Sequence, residues 1–373
     1  MHRGVRGFID WLEKHRESHG NRLNGPASTA EISALEQELG CALPTDLKLV
    51  LTRLNGGRIP GGELLPAGTE PGTVHAELRA LAKRSGRDPL DPELCLPFLR
   101  SDDGTLLAFD RAAGPLPDTW PVVDLFEESG ADARLVYHSF DSWCRGMIAR
   151  WGSPDFGEDL TLERYLNDGL LHVELEPDVA SAHATVAHAM RRLGRPEDAL
   201  DRYLKAGRCV PALPWVDWEA LKLAALLGSD AAALEAGVRV SKRAPAYRWK
   251  QRDTTPVHVA DVIGIASSGA AVREPWLACV DELAEQTRDD TERAHVLLVR
   301  SALLGKNPMP QPAPPSGGAV IPQATDAAAA WASAREAYLD GRLRDEHMLL
   351  DPSLRALGHP RKFVELLRLR REF

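Results

Sequence analysis

Residues Glu31 to Gly57, EISALEQELGCALPTDLKLVLTRLNGG, are the stretch that decides the predicted fold. Apolar residues in its first half recur at the spacing of one face of an α-helix: Ile32, Leu35 and Leu39. Either Thr29 or Ser28, which has Glu31 three residues later as in a capping box, is expected to begin that helix. Gly40 can take the left-handed conformation that commonly ends a helix. The first half therefore predicts an amphipathic helix that stops at Gly40.

The second half of the stretch predicts another helix. Pro44 lies where its first turn is expected, and a missing N–H costs nothing there. Apolar residues follow at helical spacing: Leu47, Val50, Leu51 and Leu54. Asn55, Gly56 and Gly57 can adopt positive φ and are expected to end the helix. The whole stretch thus predicts two helices, separated by a break, that cover a sheet.

This arrangement resembles the SUKH superfamily, which contains the domains related to the fungal Smi/Knr cell-wall regulators and to many bacterial toxin-immunity proteins. The family carries a helix, then Leu-Pro, an acidic residue, an apolar helix and Asn-Gly. The matching residues are Leu43, Pro44, Asp46, Leu47, Leu51, Asn55 and Gly56, and Gly57 completes the fold signature. The resemblance covers about residues 25–150 and implies an α+β domain in which helices cover a short, antiparallel-rich sheet. The alternative is an ordinary helical hairpin.

The strands of this domain are expected mainly between residues 95 and 138. Two apolar runs flank Ser101-Asp102-Asp103-Gly104, and an Asp-Gly turn between such runs is a strong β-hairpin signal. Two further apolar runs, WPVVDLFEE and ARLVYHSF, indicate two more short strands. A strand at Glu63 to Leu65 and a helix at residues 75–86, with Leu78 and Leu81 inward, are expected before them. The helix FDSWCRGMIARW closes the predicted domain.

Five carboxylates of this block are candidate partner-binding residues: Asp102, Asp103, Asp110, Glu127 and Glu128. Paired carboxylates can perform acid–base chemistry, but hairpin turns also favour Asp because its side chain bonds nearby backbone N–H groups. The net charge of -9 favours a basic protein partner over a nucleic-acid backbone. We therefore predict protein binding by these residues. Hydrolysis by the carboxylates between residues 102 and 128 is the remote alternative.

The C-terminal half contains a repeat of 34 residues, the length of a tetratricopeptide repeat. Its signature residues are Gly194, Ala199, Leu200, Tyr203 and Pro211 in the first copy, and Gly228, Ala233, Leu234 and Pro245 in the second. Small residues let paired helices approach, Ala-Leu packs the second helix on the first, and Pro closes the unit. Gly237 replaces Tyr203 in the second copy, which predicts a weaker contact there. The pattern resembles the tetratricopeptide family and implies an all-α array; a generic helical bundle is the alternative.

We divide the chain into four predicted parts. They are a SUKH-like domain at residues 1–152, tetratricopeptide-like repeats at 160–306, a Pro-rich linker or loop at 307–325, and a helical cap at 326–373. The chain closes on a basic RLRRE. Because cations are favoured at helix C-termini, we interpret it as structural, with contact to an acidic partner or nucleic acid as the alternative.

Composition limits the remaining possibilities. With 44% hydrophobic and 27% charged residues the chain is globular, and it has no apolar run long enough for a signal peptide or membrane span. Its five dispersed cysteines predict reduced thiols, so a cytoplasmic protein without membrane association is expected. His15 and His19 have the spacing of a helical metal pair, but without a third ligand nearby we expect a solvated pair. We predict no metal, no cofactor and no catalytic residue.

The leading hypothesis is a non-enzymatic protein–protein interaction protein. By resemblance, its sharpest form is a bacterial immunity-type protein that binds and neutralises a toxin, with the helical array adding contact surface. The acidic net charge favours a basic toxin. The alternative is an intracellular adaptor or regulatory scaffold without a toxin partner. No nucleic acid is expected as a partner, and the sequence leaves the oligomeric state open.

Overall fold

The computed structural model describes residues 3–68, 72–74, 76–77, 80, 95–110, 120–125, 134–213, 215–243, 255–270, 272–315, 326–355 and 357–372. These form two compact units, one made of Met1–Asp159 and Leu170–Ala182, the other of Leu160–Gly169 and His183–Phe373. Some sequence predictions fall outside the described residues: most of the helix at 75–86, Glu127, Glu128, Pro245 and residues 316–325.

The first unit is an antiparallel meander covered by helices. Within the described residues its strands are β1 Arg22–Leu23, β2 Gly57–Ile59, β3 Gly62–Leu64, β4 Cys95–Ser101, β5 Leu106–Asp110, β6 Val122–Leu125 and β7 Arg134–Tyr137. They lie in chain order across one sheet. Its helices are α1 Arg3–Lys14, α2 Thr29–Leu39, α3 Thr45–Leu51 and α4 Phe140–Trp151. The α+β class is therefore confirmed, and so is the β4–β5 hairpin, whereas β1 and β2 were missed.

The first predicted helix begins and ends as its sequence requires. Ser28, not Thr29, is the N-cap: its hydroxyl accepts from the Glu31 N–H at 3.2 Å, and Glu31 accepts from the Ser28 N–H at 2.7 Å. Gly40 ends the helix with φ 65°. Pro44 is the N-cap residue of α3 rather than part of its first turn. The reciprocal capping box of Ser28 and Glu31 thus fixes where α2 begins.

The prediction that Asn55, Gly56 and Gly57 end the second helix is wrong, because α3 already ends at Leu51. The three residues instead join that helix to the sheet. The Asn55 side chain accepts from the Ala67 N–H at 2.7 Å. Gly56 has φ 74°, and a Cβ added to it would lie 2.6 Å from the Leu64 carbonyl oxygen. This position therefore needs glycine both for its backbone conformation and for lack of space.

One face of the sheet packs against the helices through an apolar core. Phe98 of β4 contacts three aromatic rings, those of Phe109, Phe140 and Trp143, at centroid distances of 4.5 to 5.3 Å. Phe8 of α1 lies 5.3 Å from Trp143 and joins the helices to the same cluster. Such aromatic rings bury large apolar areas, so α1 and α4 are fixed to the sheet chiefly by this cluster.

Residues 170–182 belong to the first unit because they cover the edge strand β7. The His172 side chain lies 2.7 Å from the Val136 carbonyl oxygen, and the Ser181 hydroxyl donates to the Leu135 carbonyl at 2.9 Å. The His172 ring also stacks on Tyr137 at 4.4 Å. Edge strands expose unpaired backbone groups that invite aggregation. This segment occupies two of those groups on β7.

Beyond residue 160 the described regular structure is helical, which confirms the predicted all-α region. Its helices are α5 Leu162–Leu175, α6 Ala180–Arg192, α7 Pro196–Arg208, α8 Val216–Leu227, α9 Asp230–Arg243, α10 Pro256–Ala266, α11 Glu274–Gln286, α12 Asp290–Leu303, α13 Ala327–Leu339, α14 Asp345–Leu350, α15 Pro352–Arg355 and α16 Val364–Leu367. Short 3-10 turns occur at Ser267–Gly269 and Pro360–Phe363. No described helix is long and apolar enough to cross a membrane.

The repeat signature falls at equivalent places in two successive helix pairs, α6–α7 and α8–α9. Gly194 and Gly228 have φ 73° and 70° at the turn inside each pair. Ala199 and Ala233 are both buried, as are Leu200 and Tyr203, whereas Leu234 is half-buried. Pro211 follows α7. Gly237 occupies the position that Tyr203 has in the first copy. The Trp276 ring of α11 packs beside Gly237, and a Cβ added to this glycine would lie 3.7 Å from that ring.

The last helices pack back on the array. α14 contacts α8 and α10, and its acidic residues pair with buried cations: Asp345 with Arg191, and Glu346 with Lys222 at 2.7 Å. Residues 307–315 contain no regular structure, yet Asp261 of α10 accepts from the Ala313 N–H at 2.9 Å. This end of the chain is thus held by specific polar contacts.

The basic RLRRE end is also occupied within the unit. Arg368 pairs with Glu197 at 2.7 Å and Arg370 with Glu163 at 2.5 Å. The Arg371 guanidinium lies 4.3 Å from the centre of the Tyr338 ring. These arginines follow α16 and bind other parts of the same unit. The structural interpretation of this end, rather than a nucleic-acid contact, therefore fits the arrangement.

Candidate functional site: a charged row across the sheet

Four charged residues form a row across the first four strands. Arg22 of β1 lies opposite Arg58 of β2, Arg58 opposite Glu63 of β3, and Glu63 opposite Arg100 of β4. Residues that lie directly opposite each other in antiparallel strands project from the same face of a sheet. The row therefore places three guanidinium groups and one carboxylate side by side on one face. We call these four residues the charged row.

The charged row is accessible and is bordered by carboxylates. Arg22, Arg58 and Glu63 are exposed, and Arg100 is half-buried. Arg58 pairs with Asp102 at 2.6 Å, with half of each side chain exposed, and Arg100 pairs with Glu77. An exposed pair such as Arg58–Asp102 contributes about 0–1 kcal/mol to stability. The row is thus a mixed-charge surface whose Arg58–Asp102 pair adds little to the stability of the fold.

The same face becomes apolar beyond the row. Arg100 lies opposite Leu106, and Leu106 opposite Leu125. Both leucines are buried in a small cluster with Cys95, Ala108 and Val123. The main core lies on the other face, with Leu96, Phe98 and Phe109. Charge and burial therefore divide this face into a solvent-facing part at β1 to β4 and a buried part at β4 to β6.

The predicted carboxylates are only partly brought together. Asp102 and Asp103 share the β4–β5 turn, whereas Asp110 ends β5 opposite Cys95, at the far end of the hairpin. Seven residues of extended chain span roughly 23 Å, so Asp110 cannot join Asp103 in one site. Glu127 and Glu128 lie outside the described residues.

The two turn carboxylates already have structural partners. Asp102 bonds Arg58, and its backbone N–H donates to the Gly61 carbonyl at 3.0 Å. Asp103 accepts from the Ser101 hydroxyl and from the Thr105 N–H. Burial raises the pKa of Asp103, but these hydrogen bonds outweigh it and hold that pKa below its ordinary value. An ionised Asp103 cannot serve as a general acid near neutral pH.

The predicted histidine pair lies just after α1. The His15 and His19 rings are 5.0 Å apart, and both lie near the Trp11 ring, at 4.5 and 5.6 Å. Burial, with the charges of His19 and Lys14, lowers the pKa of His15. Among the described residues, no group of three or more His, Cys, Asp or Glu side chains could hold a metal ion. The pair is therefore part of an aromatic surface cluster.

Sequence reasoning missed the charged row. Strands β1 to β3 have only two or three residues each, too few for an alternating pattern to be recognised. A signal was present: Pro60 and Gly61 are a turn dipeptide between Arg58-Ile59 and Gly62-Glu63. Once a β2–β3 hairpin is assumed, Arg58 and Glu63 become cross-strand neighbours. Their connection to Arg100 depends on β3–β4 pairing across a long loop, which local patterns do not reveal.

A comparison with protein families identifies the segment that contains most of this sheet. Residues 26–146 match the model of the SMI1 / KNR4 family (SUKH-1). The matched segment runs from just before the capping box of α2 into α4, so it contains the charged row except Arg22. The suspected SUKH resemblance is thereby confirmed for this segment, about a third of the chain. A search of curated proteins found no match to the chain.

Proposed function

We propose that this chain is a non-enzymatic protein-binding protein whose SUKH-1 domain contacts its partner through the charged row. The observation that carries the proposal is the row itself: three arginines and Glu63 are aligned in register, and all of them except the half-buried Arg100 are exposed to solvent. Arginine binds carboxylates in two-point geometry and is enriched in protein interfaces. Its pairing with Asp102 fixes the position of the Arg58 guanidinium.

The finer proposal is toxin immunity: the SUKH-1 domain binds a toxin and blocks it. The support is the family match, because SUKH domains are typically immunity or regulatory modules. The mixed charges of the row suit a toxin surface with acidic groups facing the arginines and basic groups facing Glu63 and Asp102. This differs from a uniformly acidic surface, since each exposed carboxylate here has an arginine beside it.

The test is a rescue assay in a bacterial host. The full chain is co-expressed with each candidate toxin taken from the reading frames that neighbour its gene, and survival is compared among variants. Arg58→Glu places like charges beside Asp102 and Glu63 and is expected to abolish rescue, whereas Arg53→Glu is the matched control. Arg53 is equally exposed and also holds an ion pair, with Glu13 at 2.8 Å, but it follows α3 and lies outside the row.

The outcomes separate the alternatives. Rescue by wild type and by Arg53→Glu, with loss in Arg58→Glu, supports both the immunity function and the row. Equal rescue by all three variants moves the contact away from the row. Failure of the wild type to rescue removes the immunity proposal and leaves a regulatory scaffold as the function to test.

The absence of enzymatic activity is part of the same proposal. Asp102 and Asp103 are engaged by Arg58, Ser101 and Thr105, and this engagement supports a structural role. A hydrolase substrate screen on the wild-type chain is expected to give no activity above background. An activity that Asp102→Asn with Asp103→Asn abolishes would contradict the proposal.

A further inference from the structure

The described residues expose large apolar side chains at nine positions, and four of these lie around α12. Leu297 and Leu298, at mid-helix, are 44% and 50% exposed. Leu304 follows the end of the helix. Val272, 58% exposed, precedes Arg273, whose guanidinium donates to the Leu303 carbonyl at the end of the helix at 3.0 Å. Scattered exposed leucines need no explanation, but several exposed apolar side chains on and beside one helix commonly mark an interaction surface.

α12 is apolar on two sides, of which the array uses only one. Its inner side buries Val296, Val299 and Leu303 where it packs on α10 and α11. The outer side carries the two exposed leucines. A helix with one neighbouring layer needs one apolar stripe, and the terminal helices of repeat arrays have polar outer faces for solubility. The outer leucines of α12 depart from that rule.

The outer side of α12 is self-complementary about a point between Leu297 and Leu298. Moving outward from that point, small residues occupy matching positions, Ala294 and Ser301. Further out, Asp290 lies in the first turn of the helix. The position that corresponds to it at the other end is residue 305, which is next to Lys306 and just beyond the last turn. In an antiparallel pair of such helices, leucines meet leucines, small residues allow close approach, and Asp290 of each copy lies near Lys306 of the other.

We propose that α12 is a homodimerisation surface that pairs antiparallel with α12 of a second copy of this chain. A two-fold axis requires one surface to complement itself, and the leucine centre with opposite charges at its two ends meets that requirement. Antiparallel packing also places the opposite ends of the two helix dipoles together. Because only one helix of each copy takes part, a weak, concentration-dependent dimer is expected.

The first test measures the mass of the full chain by sedimentation equilibrium from about 1 to 300 μM, a range chosen for weak association. The wild type is expected to pass from monomer to dimer. Leu297→Glu with Leu298→Glu is expected to weaken dimerisation by at least about 100-fold, because it sets four carboxylates against each other. Val238→Glu is the control, since Val238 is also exposed, at 41%, but on α9. A wild type that stays monomeric, or a dimer that survives the double change, would overturn the proposal.

A charge swap tests the antiparallel register. Asp290→Lys alone, or Lys306→Asp alone, is expected to weaken the dimer by about 3- to 10-fold, as for exposed ion pairs. The double variant restores opposite charges across the two-fold axis and is expected to recover wild-type association. Single changes without effect, or a double variant weaker than both singles, would exclude this register. Neither test involves the charged row, so their failure leaves the proposed binding function untouched.

Discussion

The exposed ion pairs beside the sheet of the first unit contrast with the buried ion pairs among the helices of the second unit. In the first unit the pairs Arg58–Asp102 and Arg53–Glu13 lie at the surface above an apolar, aromatic core. In the second unit Lys222 and Asp217 are buried among helices, where Lys222 bonds Glu346 and Asp217 bonds Arg239 and Arg243. The Lys222 side chain is 4% exposed and that of Arg58 50%.

This difference decides which charges are free to serve a partner. A buried ion must keep its partner, since an isolated charge in the interior costs several kcal/mol. An exposed pair contributes about 0–1 kcal/mol, so it can be replaced or rearranged on binding. The buried pairs therefore fix how the last helices dock on the array. The exposed Arg58–Asp102 pair of the charged row can instead change partners at little cost to folding.

The largest expected effect comes from breaking a buried pair. Lys222→Met removes the buried cation that lies 2.7 Å from the Glu346 carboxylate and 3.0 Å from that of Glu219, and leaves Glu346 only the more exposed Arg344, at 3.1 Å. We expect a loss of about 3–5 kcal/mol in the free energy of unfolding, measured by urea titration with circular dichroism at 222 nm. Lys205→Met is the control, because its pair with Asp201 is exposed, and it should cost less than about 1 kcal/mol. Equal losses in both variants would contradict the comparison.

The Lys222–Glu346 pair should also affect how the stability of the protein depends on pH. Burial would raise the pKa of Glu346, but the Lys222 charge and hydrogen bond, with Arg344, lower that pKa to about 2. A carboxyl whose pKa is depressed by folding adds stability above its unfolded pKa of 4.5, and this stability is lost as the pH falls from 4.5 towards 2. Burial also lowers the pKa of His347, so its contribution to stability is lost as the pH falls below its ordinary 6.5.

Glu346→Gln isolates the carboxylate from the histidine. The variant should be less stable than wild type by on the order of 3 kcal/mol at pH 7, and this difference should shrink towards zero near pH 2. Urea midpoints at a series of pH values measure it. Asp201→Asn, at an exposed pair, serves as the control and should show almost no such change. A Glu346→Gln difference that stays constant from pH 7 to 2.5 would show that the carboxylate charge is not what holds α14.

The sequence predicted local features better than contacts between distant segments, for a physical reason. Ser28 with Glu31, Gly40 and the Asp103-Gly104 turn act on residues a few positions away, and local patterns reveal such contacts. Lys222 and Glu346 are 124 residues apart, and nothing near either residue announces the other. The charged row was missed for the same reason, because Glu63 and Arg100 become neighbours only through the pairing of β3 with β4. Contacts between distant segments therefore account for most of what the sequence left open.

A glycine comparison inside the first unit should have the next largest effect. Gly56 and Gly61 both have positive φ, 74° and 83°, but an added Cβ meets backbone atoms only at Gly56. Gly61→Ala should cost about 1–2 kcal/mol for its left-handed conformation alone, whereas Gly56→Ala should cost about 1–3 kcal/mol more because backbone must move. Thermal unfolding of the two variants measures the difference. Equal melting temperatures would show that the junction at Asn55–Gly57 yields without strain.

The smallest effect on stability is expected from breaking the exposed Arg58–Asp102 pair. Arg58→Met removes the exposed pair with Asp102 but keeps most of the apolar stem, so stability should change by less than about 1 kcal/mol. A double-mutant cycle with Asp102→Asn, measured by urea unfolding, should give a coupling energy of about 0.2–1 kcal/mol, which falls as salt is added. A coupling near the buried-pair value would make the row structural. In that case the loss of rescue by Arg58→Glu could be explained by misfolding, so this small coupling is what allows that assay to report binding.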